Sequence, residues 1–407
     1  MNVYFHTFGC RTNQYDTERV RQAFEDQGAT VVASAAEAEL AVVNSCTVTH
    51  ESETKLRRLV RHLARGGQET IVMGCAAARD GGSLATLPRV RAVVGGADPA
   101  LVLRAAGYAQ PRVEPALRRF SSNARAWLKI QDGCDEHCTF CATTIARGAN
   151  RSRPVAGIVA EARLLAAHHA ELVLTGVHIG TYGQDRDPGR GNGGGASLGR
   201  LLEALVAAVP SVRFRLSSIE ATEVDDRIAH LLVESPRQLA AHLHAPLQSA
   251  SDRVLRRMGR HWYTAETYRE RIEWLADRLP SFGLGADVIA GFPGETEAEH
   301  RATLDYLADL PFTYLHVFPY SARPGVAATR LPEAVPSATI RGRAAELRSL
   351  GLAKGAAYRQ RRAGQVADGV VTGHQSGRIE LLTEDYLSVY LSADQWDGVP
   401  RFPVTID

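Results

Sequence analysis

Cys134-Asp-Glu-His-Cys138-Thr-Phe-Cys141 places three thiols on one short loop, directly after an apolar run, Trp127–Gln131, that reads as a strand. Three protein thiolates on a four-iron cluster leave one iron open to an outside ligand. A zinc site recruiting His137 is the alternative, but three and then two intervening residues is unlike the paired C-x2-C of zinc knuckles. The remaining cysteines, Cys10, Cys46 and Cys75, are spread through the first third of the chain. Disulfides are disfavoured in a reducing compartment, so thiols in such numbers point to metal binding or chemistry.

Working outward, the first third alternates short apolar runs with helical patterns. Val3–Thr7, Leu40–Asn44 and Thr70–Met73 read as strands, Thr17–Gln27 as a helix closed by Gly28, and Glu53–Leu63 as a second helix. This alternation predicts an α/β N-terminal domain, residues 1–110, with a doubly wound parallel sheet. Cys10, Cys46 and Cys75 each lie just beyond the carboxyl end of a predicted strand, the edge where open α/β sheets bind ligands, so the three thiols can converge. Pro111, Pro115 and an Arg-rich stretch mark 111–123 as a linker.

Alternation resumes over 124–340, with strands at Trp127–Gln131, Leu172–Thr175, Arg213–Ser217, His242–His244, Gly285–Ala290 and Tyr314–Val317. Six strands with helices between them predict a partial (β/α)6 barrel with its site at the C-terminal mouth. His242 and His244 alternate on one strand, and His244 reads as structural in preference to a ligand. Asp185–Ala196 reads as a surface loop, and its Gly191–Gly195 run lacks the Lys-Ser/Thr ending of a phosphate loop. Residues 341–362 form a basic helix with seven Lys/Arg against Glu346 alone. Short strands at Gly369–Thr372, Ile379–Leu382, Ser388–Leu391 and Pro403–Ile406 predict a small all-β barrel over 363–407. That barrel carries two Arg against seven acids, a poor electrostatic match for phosphates, which the basic helix could bind instead.

Composition sets the outer bounds. At 407 residues the chain is too long for one core and predicts two or three domains. It is 45% hydrophobic and 23% charged, which excludes wholesale disorder. No apolar run approaches the roughly 18 residues of a membrane span, and Met-Asn-Val-Tyr-Phe-His lacks a signal-peptide pattern, so a cytoplasmic location is expected. The net charge of +2 points to neither nucleic acid nor membrane. Of the 47 basic residues only Lys55, Lys129 and Lys354 are Lys, and the Arg forks that remain favour phosphate and base recognition.

With Phe140 before the last cysteine and Arg147-Gly-Ala-Asn-Arg-Ser-Arg153 after it, the three-Cys segment resembles the radical S-adenosylmethionine (radical SAM) enzymes. The resemblance narrows to the methylthiotransferases and runs along essentially the whole chain. It is carried by Thr7-Phe-Gly-Cys10-Arg-Thr-Asn13, Asn44-Ser-Cys46-Thr-Val and Gly74-Cys75-Ala in the first third. In the barrel it is carried by Leu174-Thr-Gly-Val-His-Ile-Gly-Thr-Tyr-Gly183, Arg215-Leu-Ser-Ser-Ile-Glu220 and His244-Ala-Pro-Leu-Gln248. Arg257-Met-Gly-Arg260, Asp287-Val-Ile-Ala-Gly-Phe-Pro-Gly-Glu295 and His316-Val-Phe-Pro-Tyr-Ser321 complete it, and the last barrel resembles the family's RNA-binding TRAM module.

The resemblance implies two [4Fe–4S] clusters, S-adenosylmethionine as cofactor and a 5′-deoxyadenosyl radical. It further implies transfer of a methylthio group to C2 of N6-threonylcarbamoyladenosine at position 37 of tRNA, because Arg11-Thr12 departs from the Gln-Met of the isopentenyladenosine branch. The isopentenyladenosine and ribosomal-protein branches remain alternatives, as does a non-catalytic RNA-binding protein with structural zinc. An electron donor such as a flavodoxin and a sulfur source are the implied further partners.

By the same resemblance, Cys134, Cys138 and Cys141 hold the radical SAM cluster, and Cys10, Cys46 and Cys75 the auxiliary one. Phe140, Gly176, Ser218 and Glu220 are expected at the SAM site, together with Gln248, Ile289, Gly291 and Phe318. The threonylcarbamoyl carboxylate calls for a fixed guanidinium, expected from Arg147, Arg151 or Arg153, with salt bridging inside the cluster loop as the competing reading. Arg359, Arg361 and Arg362 are expected on RNA phosphates.

Overall fold

The computed structural model describes residues 1–47, 50–121, 124–186 and 196–407, so the Gly191–Gly195 run lies outside the described residues. These residues form two compact units. The first comprises Met1–Ser121, Gln131–Glu136 and Cys141–Arg151; the second holds His137–Phe140 and Ser152–Asp407 together with the strand Arg125–Lys129.

In the first unit, strands β1 (Asn2–Thr7), β2 (Thr30–Val32), β3 (Leu40–Ser45), β4 (Glu69–Gly74) and β5 (Val90–Gly95) make one sheet in the order β2-β1-β3-β4-β5. Every pairing is parallel. A central parallel strand is buried on both faces and reads as a continuous apolar run, and Leu40-Ala-Val-Val in β3 does so. Val20, Phe24 and Val102 pack on one face with Val42, while Leu56, Val60 and Leu63 pack on the other with Val43. Helices therefore cover both sides, as the alternation predicts. The first helix, however, runs Arg11–Asp26, starting directly after Cys10. Its opening turn buries Thr12, Asn13 and Asp16, so no apolar period marks it. Strands β2 and β5 also escape the sequence pattern, being short or only half-buried. The described part of the 111–123 linker lies along this helix, where the Gln22 side chain donates to the Ala116 carbonyl and accepts from the Arg118 amide.

In the second unit, β6 (Arg125–Lys129), β7 (Glu171–Thr175) and β8 (Arg213–Leu216) form one parallel sheet in the order β8-β7-β6. Strands β9 (His242–His244), β10 (Gly283–Ala290) and β11 (Tyr314–Pro319) form another. Parallel bridges Phe214↔Leu239 and Ser218↔His244 join them into a six-stranded arc, the expected partial barrel. The helix Ser337–Arg362 leads to β12 (Val366–Gln375), β13 (Arg378–Leu382), β14 (Ser388–Ser392) and β15 (Arg401–Thr405), antiparallel in the order β14-β13-β12-β15. No helix among the described residues is long and apolar enough to cross a membrane.

At the N-terminal end of the arc, Glu171 opens β7 with its side chain wholly buried. Arg213 Nε, Arg125 Nε and Arg215 Nη2 donate to it at 2.6, 2.7 and 2.9 Å. Burial pushes the Glu171 carboxyl up, but the charges of Arg215, Arg125 and Arg213 outweigh it and hold the group well below the usual carboxylate range. The same two strand arginines seat the C-terminal module: Arg213 donates to the Asp368 and Leu382 carbonyls, Arg215 to those of Thr383 and Glu384.

The acids of that module are likewise engaged. Asp385 accepts from Tyr358 and from Arg362 Nε at 2.6 and 2.7 Å, and Asp368 pairs with Arg401. The structure therefore corrects the phosphate-contact expectation for Arg362, whose buried guanidinium holds Asp385 and Glu384. Arg359 is tied to Ser388 and Asp407, and Arg361 is exposed with its guanidinium over the Tyr358 ring.

Removing one member of a buried ion cluster leaves the others uncompensated, at a cost of about 3–5 kcal/mol. Glu171→Gln should destabilise the second unit by that order and loosen the C-terminal module, read as an earlier denaturant midpoint and faster proteolysis after Arg362.

Candidate active site

The N-terminal cysteines sit where the parallel sheet ends. Cys10 precedes the first helix, Cys46 follows β3, and Cys75 follows β4 and opens the helix Cys75–Ala85. None of the three is in a disulfide, and Cys46 and Cys75 are buried while Cys10 is exposed. Left-handed glycines make the approach possible. A Cβ on Gly9 (φ +108°) would lie 2.7 Å from Asn13 Nδ2 and 3.0 Å from Cys46 Cβ, and one on Gly74 (φ +92°) would lie 2.1 Å from Asn44 Oδ1.

Asn13 ties these loops together. Its Nδ2 donates to the Phe8 and Ser45 carbonyls at 2.8 and 3.1 Å, while its Oδ1 faces the Cys75 thiol at 3.8 Å. Burial pushes the Cys75 thiol up to about 11, against the pull of Arg147, and Cys10 and Cys46 push it further. A bound metal reverses that balance, since thiol ligands bind deprotonated. Three soft donors in a polar-tied cradle, exposed at Cys10, fit an iron–sulfur cluster.

The Cys134–Cys141 loop begins at Gly133 (φ +71°), where a Cβ would sit 1.9 Å from the Ala149 carbonyl oxygen. The Cys134 amide donates to Gly148 at 3.0 Å and the Thr143 amide to Cys141 Sγ at 3.3 Å. The short helix Thr143–Arg147 follows. Arg147 is not offered to a substrate carboxylate: its side chain is 8% exposed and paired with Asp16 and Asp132. Arg153 grips the buried Glu161 at 2.9 Å and the Lys129 carbonyl. Both guanidiniums are thus ion-paired, as the competing reading has it, but Asp16 and Glu161 lie outside the cluster loop and only Asp132 lies beside it. Arg151 alone of the three is exposed.

In the second unit, the residues expected around SAM gather at the carboxyl ends of the strands. Gly176 follows β7, Ser218 and Glu220 follow β8, Gln248 lies beyond β9, Ile289 lies at the end of β10 with Gly291 just after it, and Phe318 lies on β11. Glu220 is buried and pairs with Arg260 through Oε1, while its buried Oε2 has no hydrogen-bond partner among the described residues. An orphaned carboxylate oxygen suits an ammonium or a ribose hydroxyl. Gln248 is held at φ +67° by backbone bonds to Asp287 and Ile289, a strain that functional sites store. Gly291 (φ +74°) donates its N–H to Glu295, which Arg343 holds at 2.7 Å. Phe140 meets the Phe292 ring edge-on at 6.3 Å, and Phe318 is 41% exposed.

Sequence reasoning missed Arg260, which is buried, bonds Glu220 and Tyr263, and reaches Cys138 Sγ at 3.6 Å. Its only signal was its place in Arg257-Met-Gly-Arg260. His244 is hydrogen-bonded to Asp287 at 2.9 Å and Tyr314 at 3.0 Å, consistent with a structural reading.

Residues 128–307 match the Radical SAM superfamily and residues 2–95 the Uncharacterized protein family UPF0004. A radical S-adenosylmethionine methyltransferase, TsrM, from Kitasatospora setae shares the fold, with a TM-score of 0.61 at 15% identity over 80% of this chain and 76% of that one. The arc with its three-Cys loop is thus that of a radical SAM protein. The threonylcarbamoyladenosine tRNA methylthiotransferase MtaB of Bacillus subtilis is 36% identical over 82% of this chain and 76% of its own length. The tRNA-2-methylthio-N(6)-dimethylallyladenosine synthase of Sorangium cellulosum is 36% identical over 84% and 76%. The chain belongs to the radical SAM methylthiotransferase family.

Asn13→Ala removes the tie between the Cys10, Cys46 and Cys75 loops. Iron in the reconstituted protein should fall from about eight toward about four per chain, with far-UV circular dichroism unchanged.

Proposed function

We propose that the protein transfers a methylthio group to C2 of N6-threonylcarbamoyladenosine at position 37 of tRNA. The observation that carries this is two separate three-Cys sets, one at a parallel sheet's carboxyl edge and one on the loop after β6, in a chain that aligns over most of its length with proteins named for that reaction. Cys134, Cys138 and Cys141 would hold the radical SAM cluster, and Cys10, Cys46 and Cys75 the auxiliary one. When bound, the clusters and S-adenosylmethionine supply the electron, the hydrogen-abstracting radical and the sulfur that no side chain can.

The chain's own residues bind and orient. Glu220 Oε2 offers a buried acceptor to the SAM amino or ribose groups, and Arg260 fixes that carboxylate. Gly291, whose missing Cβ makes room for Ile340, would line the SAM site together with Gly176, Ser218, Gln248, Ile289, Phe140 and Phe318. Arg151 is the guanidinium left for the threonylcarbamoyl carboxylate, and Arg361 for an RNA phosphate. The functional division follows residues 1–110, 124–340 and 363–407, with 341–362 as a helical connection. A cytoplasmic site of action, a flavodoxin-like reductant and an external sulfur source complete the reading.

Replacing Cys134, Cys138 and Cys141 together with Ala should leave about four irons and abolish SAM cleavage. The corresponding N-terminal triple should keep cleavage to 5′-deoxyadenosine and lose sulfur insertion; identical behaviour of the two triples would refute the division of labour.

Reconstituted enzyme should methylthiolate tRNA carrying the threonylcarbamoyl group and leave isopentenylated or unmodified tRNA untouched, read by nucleoside mass spectrometry. Arg151→Met should raise KM for the first substrate by about tenfold, the loss of about one charge-assisted pair. Efficient turnover of isopentenyl tRNA, or of a ribosomal protein alone, would sink the substrate assignment.

A further inference from the structure

Arg147 stands in the helix that follows Cys141, yet its guanidinium is committed to the cysteine edge of the N-terminal sheet. Nε donates to Cys75 Sγ at 3.3 Å. One terminal nitrogen donates to Asn13 Oδ1 and Asp16 Oδ2 at 2.6 and 2.9 Å, and the other to both oxygens of Asp132 at 2.9 and 3.1 Å. A guanidinium presents its N–H donors in a rigid fork, and here all three nitrogens have acceptors. Such a group cannot swing toward a substrate without breaking a buried network.

Its chemistry is instead directed at a thiolate. N–H···S bonds and nearby positive charge favour the more reduced, more negative state of an iron–sulfur cluster. Asp16 and Asp132 fix the cation and offset its charge, so removing Arg147 alone would leave two carboxylates beside Cys75.

We propose that Arg147 is a positioning residue that docks the helix following Cys141 onto Cys75 and raises the reduction potential of the auxiliary cluster through its Nε–H···Sγ bond. The inference rests on the reading that Cys10, Cys46 and Cys75 carry that cluster. It accounts for an arginine in the radical SAM loop whose partners all lie in the N-terminal sheet's edge or beside Cys134.

The test uses the full chain with Cys134, Cys138 and Cys141 replaced by Ala, so that only the auxiliary cluster remains, in a potentiometric titration followed by EPR. Arg147→Gln should move the midpoint to a more negative potential, and Arg147→Lys, which keeps the charge but loses the fork, by less. Pulsed EPR on protein labelled with 15N-arginine should show a nitrogen coupling to the reduced cluster that both variants abolish. If Arg147→Gln does not fold, the Lys variant and the coupling in the unsubstituted loop still decide. A cluster of full iron content with no arginine coupling, or with one midpoint in all three chains, overturns the inference alone. Absence of iron from the Cys10, Cys46 and Cys75 set in this background overturns the reading beneath it.

Discussion

A carboxylate sealed from water must meet cations, and Glu171 meets three. The arginines begin or lie within β6 and β8, on either side of the strand Glu171 opens, so one ionic knot fixes the register of half the arc. Arg213 and Arg215 then reach past it to the C-terminal module. One end of the arc is thereby closed by charge, and the other is free to carry chemistry. That division is the usual one in barrels, where the amino ends of strands serve stability and the carboxyl ends serve function.

Much of this was legible in the residues. The six arc strands, the sheet order's parallel character and both cysteine sets follow from alternation and spacing, because buried parallel strands must be apolar and ligands gather beyond their ends. What could not be read was partnership. Arg147 shows a guanidinium in the sequence, but Asp16 lies 131 positions away and only the fold supplies it. Arg362 looked like one of a row of surface cations until Asp385 was found beneath it. Glu171 and Arg260 each resemble ordinary charged residues, and burial alone sets them apart. The first helix was placed too late because its opening turn buries polar groups that serve the site.

The two cysteine sets share a construction. Gly9, Gly74 and Gly133 each precede a cysteine with positive φ and have no room for a Cβ. Cys10, Cys75 and Cys134 are brought in by backbone turns that a side chain would block, and polar hubs fix the sets: Asn13 and Arg147 on one side, Arg260 on Cys138. Rigid elements thus supply direction while glycines supply proximity. Sites built this way hold their ligands without relying on long flexible side chains.

Arg213 and Arg215 grasp backbone carbonyls of Asp368, Leu382, Thr383 and Glu384, groups that every amino acid possesses. That part of the attachment is indifferent to the side chain, while Asp368 adds an ion pair to Arg213 at 3.2 Å. The module's outer face can therefore vary in charge, even to the acidity seen here, without loosening the main-chain contacts that seat it.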